Sequence, residues 1–266
     1  MKKLLTLLAT AVFAAASSAF AQVAYTSTND TYTQNFASLG TNASVAWTNN
    51  TSLPGWFALA SLSNPVTIAN VTGSGTSPSG LANFSSNSLA SNRSLGWIFG
   101  NGSGVAGTYV SLGLGISNAT GSALDAFSLA YTGREWRGYS TNTPALFFQY
   151  KIGGAFDNVP TNSQSGPSWT DVSALNFILP TTNGNTQVNG LVAPNFTSLS
   201  NTVSGISWAA DEVLWVRWRQ QNLSGNDAQM AVDDLSFTAV PEPSIYAMLA
   251  LAGAGFAGYV IRRRRG

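Results

Sequence analysis

Between residues 22 and 239 the sequence keeps returning to one pattern: a short run of β-branched and aromatic residues, then a cluster of Gly, Pro, Asn or Ser. Such runs suit a pleated, half-buried surface, and the clusters between them supply turns. Segments with a helical period are scarce there. The runs at 95–99, 109–116, 126–131, 145–152, 213–219 and 230–237 predict strands, and the stretches 73–80 and 181–185 predict loops. Many strands with no helices between them predict an all-β fold, an antiparallel β-sandwich and specifically a jelly roll. No fixed-period repeat points to a solenoid or propeller.

Alternation assigns faces to two of these runs. Across 213–219, Val213, Trp215, Arg217 and Arg219 share one side, while Leu214, Val216, Trp218 and Gln220 share the other. The second set predicts the core face. The first predicts an outer sheet face with Trp215 and its arginines stacked, covered in preference to open for a sugar or polyanion. Across 230–237 the pattern conflicts with itself. Either Asp233 lies with Ala231, Leu235 and Phe237, or Asp234 lies with Met230 and Val232. A carboxylate on a core-directed face is costly unless it is paired or bound to a cation. With no His and no Cys in the chain, carboxylates and carbonyls suit Ca2+ best. Asp227, Asp233 and Asp234 are therefore the candidate ligands of a structural Ca2+, the alternative being carboxylates bonded to backbone amides in a turn.

The two ends of the chain differ from everything between them. Met1, Lys2 and Lys3 precede an apolar run over 4–16 and a small-residue site at Ala19 and Ala21, which predicts a signal peptide over 1–21. At the other end, Val240-Pro241-Glu242-Pro243-Ser244 is followed by an uncharged run over 245–261 and then by Arg262, Arg263, Arg264 and Arg265. Each proline fixes its own φ and pushes the preceding residue towards extended geometry, so 240–244 should be stiff, extended and exposed. A helix over 245–261 would be about 25 Å long, at the short end of what spans a bilayer. The arginines should hold its far end in the cytoplasm.

Pro241, Glu242 and Pro243, the short Gly/Ala-rich apolar run and the terminal arginines resemble the PEP-CTERM sorting domain over 240–266. That resemblance implies a Gram-negative, mostly biofilm-forming setting and recognition by the membrane enzyme exosortase. It also implies release to the cell surface or extracellular matrix after a membrane-anchored stage. A permanent single-helix anchor is the alternative. Segments such as Leu53-Pro54-Gly55-Trp56 and the 131–137 run resemble a β-sandwich ectodomain recurrent among PEP-CTERM proteins, and the closing Asp-Asp strand resembles that of jelly-roll carbohydrate-binding modules. These likenesses imply a structural or polysaccharide-associated role for 22–239.

Composition narrows the chemistry. The span 22–239 holds six basic and ten acidic residues, a net charge of −4. It has no basic stripe, which argues against a nucleic-acid partner. The absence of His removes the commonest general base. Only two glutamates, Glu135 and Glu212, lie in this span. They fall in separate strand regions, with no paired-carboxylate or nucleophile-elbow motif. The expectation is a non-enzyme, with a secreted polysaccharide hydrolase as the rival.

Overall fold

The computed structural model describes residues 22–28, 30–40, 42, 44–60, 67–73, 80–86, 92–99, 108–139, 144–156, 168–181, 184–223 and 227–241. The signal-peptide residues with Ala19 and Ala21, the sorting residues Glu242 and Pro243, the apolar run over 245–261 and Arg262 to Arg265 lie outside the described residues. So do 74–79 and 182–183 within the predicted loops.

Two mixed β-sheets face each other. One follows the order β1 (Val23–Tyr25), β8 (Tyr109–Asn118), β14 (Val213–Gln221), β10 (Ala145–Ile152), β11 (Thr170–Asp171). Here β4 (Trp56–Leu59) also pairs with β8, and β12 (Phe177–Ile178) with β10. The other follows β13 (Phe196–Trp208), β9 (Leu124–Arg137), β15 (Gln229–Pro241), β7 (Ser94–Ile98), β6 (Gly80–Ser85), β5 (Thr67–Thr72), β3 (Ser44–Ala46). Here β2 (Tyr32–Gln34) pairs with β15. The only helical elements among the described residues are 3-10 turns at Ala37–Leu39 and Ser173–Leu175. No described helix is long and apolar enough to cross a membrane.

All six predicted runs are strands. The all-antiparallel expectation needs correction, because β1 runs parallel to β8 and β5 runs parallel to β6. Seven residues separate β5 from β6. At about 3.3–3.6 Å each they just reach back along a six-residue strand of about 20 Å. The antiparallel expectation rested on the lack of helices between runs, and seven residues are too few for the crossover helix that usually marks a parallel pair.

The sheets enclose one aromatic-rich core. Trp218 on β14 stacks on Trp56 at 5.9 Å, and Tyr131 of the opposite sheet and Phe148 meet it edge-on, each at 5.4 Å. Leu214, Val216 and Trp218 all face this core, as alternation predicts. Each such large apolar side chain contributes roughly 1.5–3 kcal/mol on burial. The outer faces carry their own clusters. On the β14 side Trp215 packs with Trp169, Phe57 and Phe156. On the β15 side Trp136 stacks on Phe84 at 5.7 Å, with Ile98 and Ala231 beside them.

Candidate functional site

The Asp233–Asp234 conflict resolves by a change of parity within β15. Its register with β9 shifts between Asp233 and Ser236, and Asp234 takes a left-handed φ of 47°. One extra residue at a bulge reverses the alternation. Met230 and Val232 before it, and Leu235 and Phe237 after it, therefore all reach the same core. Neither aspartate faces that core. Asp233 is nonetheless fully buried, on the outer side of the sheet opposite Thr132.

Its partner there is Arg134 of β9. The guanidinium Nε donates to Asp233 Oδ2 at 2.6 Å, one terminal nitrogen reaches Asp234 Oδ2 at 3.0 Å, and the other donates to the Gly190 carbonyl at 3.0 Å. Asp233 Oδ1 accepts the Asp234 backbone N–H at 2.8 Å. Asp227 stands apart, before β15 begins, accepting the Leu223 N–H at 2.6 Å. The three proposed calcium ligands are thus divided: two share one arginine and the third bonds the Leu223 backbone. Among the described residues no group of three such side chains gathers for a metal ion. Burial drives Asp233 up to about 7, against the pull of Arg134, and Asp227 up to about 6.

The outer face bearing Trp215 is covered. Trp215, Arg217 and Arg219 are each at most 2% exposed. Arg217 stacks over Trp169 at 3.8 Å, Lys151 approaches the same ring at 5.0 Å, and Arg219 lies over Tyr109 at 4.5 Å. The arginines stack as expected, although on Trp169 and Tyr109 instead of Trp215. All eight tryptophans are buried, so none offers an open ring to a sugar.

The two glutamates lie at opposite ends of the sandwich. Glu135 is buried and accepts both the backbone N–H and the hydroxyl of Thr181, and burial raises its pKa. Glu212 follows β13, whose Trp208 pairs with Leu124, and its side chain accepts the Ala209 N–H at 3.1 Å. Leu124 and Glu135 are eleven residues apart along β9, roughly 35 Å at the rise of a strand. A glycosidase pair works at about 5–9.5 Å, so these two cannot form one together.

The accessible surface with regular chemistry is the half of the second sheet's outer face beyond the bulge. Across four strands, Thr33, Ser236, Ala130 and Ser200 lie side by side. The next row runs Thr238, Ser128, Thr202, with the Ser128 and Thr202 hydroxyls bonded at 2.7 Å. Thr33, Ser200 and Thr202 are exposed and the others mostly half-buried. A shallow cleft of about 370 Å3, lined by Thr33, Gln34, Asn35, Asp234, Leu235 and Ser236, joins this face at the bulge. Sequence reading missed these rows because β13, which completes them, was not read as a strand. Its Ser- and Thr-rich sequence, with Asn201 between Leu199 and Val203, breaks the apolar alternation by which a strand is recognised.

The last strand leads directly into the tail. Val240 pairs with Ala126 and Pro241 with Leu124, and both residues are extended and exposed. Together they define a β-sandwich whose final core strand ends on the first proline of the Pro-Glu-Pro sequence. The chain carries a PEP-CTERM protein-sorting motif, matched over residues 239–265. That motif implies an exported surface protein processed by an exosortase. No curated protein matches the sequence. Among solved structures, the CBM22-1 xylan-binding domain of Paenibacillus barcinonensis Xyn10C is similar at 11% identity and a TM-score of 0.35, over 75% of this chain and 94% of that one. A Bacillus thuringiensis Cry1Da tryptic core variant is similar at 9% identity and 0.32, over 61% of this chain, which spans only 21% of that one. TmCBM61, solved with β-1,4-galactotriose, is similar at 6% and 0.26, over 56% and 71%. At these scores no ligand-site residue carries over.

Proposed function

We propose that this jelly-roll-like sandwich is an extracellular cargo domain of a Gram-negative bacterium, exported by a signal peptide and held briefly by a C-terminal membrane helix. An exosortase then releases it to the surface or matrix, where it acts structurally or by contact with polysaccharide and without catalysis. The observation that carries this reading is the sorting motif at 239–265, joined without a linker to the last core strand. The neutral hydroxyl rows around Ser128 and Thr202 support the polysaccharide part. Sugar contact there would be through hydrogen bonds, since every tryptophan is buried.

Glycan-array binding of the released protein, run beside a hydrolysis screen, tests the cargo role. Binding without turnover, weakened by Thr202→Val, is the expected result. Turnover that disappears on Glu135→Gln or Glu212→Gln would replace this reading with the hydrolase rival.

A further inference from the structure

The two sheets end in very different edges. The first is bounded by β1, β4, β11 and β12, none longer than four residues, and the far edge of the second is the three-residue β3. Short edges are a recognised protection against strand-to-strand association. The remaining edge is β13, with thirteen residues, and among the described residues it pairs along one side only, with β9. It contains no charged residue and no proline, two further protections, and of the described elements outside its sheet the short 3-10 turn Ser173–Leu175 lies near it. Its one irregularity, a register shift between Ser204 and Trp208 with Gly205 at φ 73°, lies near the C-terminal end and leaves 196–204 in regular pairing. Thr197, Ser198, Ser200, Thr202 and Ser204 are exposed along that stretch.

We propose that β13 is a self-association edge, pairing antiparallel with β13 of a second copy of this chain about a two-fold axis. A two-fold contact brings one segment against itself, so like charges would meet across it. An uncharged Ser/Thr/Asn strand is the composition that avoids this clash, whereas a strand from a different partner would find no charge pattern to read. Pairing would extend the β-sheet and its hydroxyl rows from one copy into the next. Nine residue pairs bury less than the roughly 1,000 Å2 of a stable interface. The contact is therefore weak in dilute solution and forms where the protein is concentrated, as in a surface layer.

The absence of cysteine from the chain makes a clean test. The full chain is prepared as Ser200→Cys, near the middle of the regular stretch, and as Thr51→Cys, an exposed turn residue on another part of the surface. Disulfide-linked dimer is followed under mild oxidation at rising protein concentration. Ser200→Cys is expected to cross-link faster than Thr51→Cys by an order of magnitude or more, as proximity raises effective concentration. Ser198→Lys with Thr202→Lys, added to Ser200→Cys, sets lysines directly opposite one another about an axis at 200 and should remove that advantage through like-charge repulsion. Equal cross-linking at 200 and 51, or no effect of the paired lysines, would overturn the proposal.

Discussion

Arg134 serves two carboxylates at once, and its removal would leave Asp233 as a buried charge with no counter-ion. Breaking one side of a buried pair costs about 3–5 kcal/mol. Measured above pH 7, where Asp233 is ionised, Arg134→Met should lower unfolding stability by that order in urea denaturation, and a loss under 1 kcal/mol there would contradict the assignment. Acidity gives a second check. Asp227 and Asp233 hold their protons to about 6 and 7 in the folded chain, above the ordinary value near 4. The stability this adds is fully present below the unfolded value and is lost as pH rises through 6 to 7. Tm should therefore fall between pH 5 and pH 7.5. Asp227→Asn keeps an acceptor for the Leu223 N–H and should flatten part of that slope; an unchanged slope would show that Asp227 does not titrate there. The sequence displayed the Asp233–Asp234 conflict plainly. Its solution, a left-handed Asp234 that reverses the alternation, depends on the pairing with β9 and leaves no mark in composition.

Individual strands were legible in proportion to their apolar content. The β10 run was read to its ends, and β8, β9, β14 and β15 were read in their apolar parts but prove longer. Their polar ends are ordered by pairing with a neighbour, which no local pattern reports. β13 escaped for the same reason in extreme form: Tyr131, Leu129 and Phe127 of β9 hold Leu199, Asn201 and Val203 in register. Close approach between elements was equally hidden. Gly133 of β9 faces the Phe177 ring so closely that an added Cβ would collide with it. Gly133→Ala should destabilise the protein by about 1–3 kcal/mol, the usual cost of overpacking. Thermal denaturation measures this, and an unchanged Tm would mean that the β9–β12 contact is looser than described.

At the scale of the whole molecule, the sorting tail spoke more clearly than the domain before it. A sorting signal is read as linear sequence, so it needs no long-range contact to be recognised. The role of the sandwich depends on which faces remain open, and that required the fold. Here the Trp215 face is covered, and among the described residues a neutral hydroxyl face runs out to the long edge strand β13. The structure also ties the two scales together, because β15 passes from the core to Pro241 with no intervening linker. The most direct measurement follows the full chain in a host with and without exosortase, by size and by fractionation. A shortened product outside the membrane fraction only when the enzyme is present is the predicted result. A full-length membrane protein in both hosts would contradict the account.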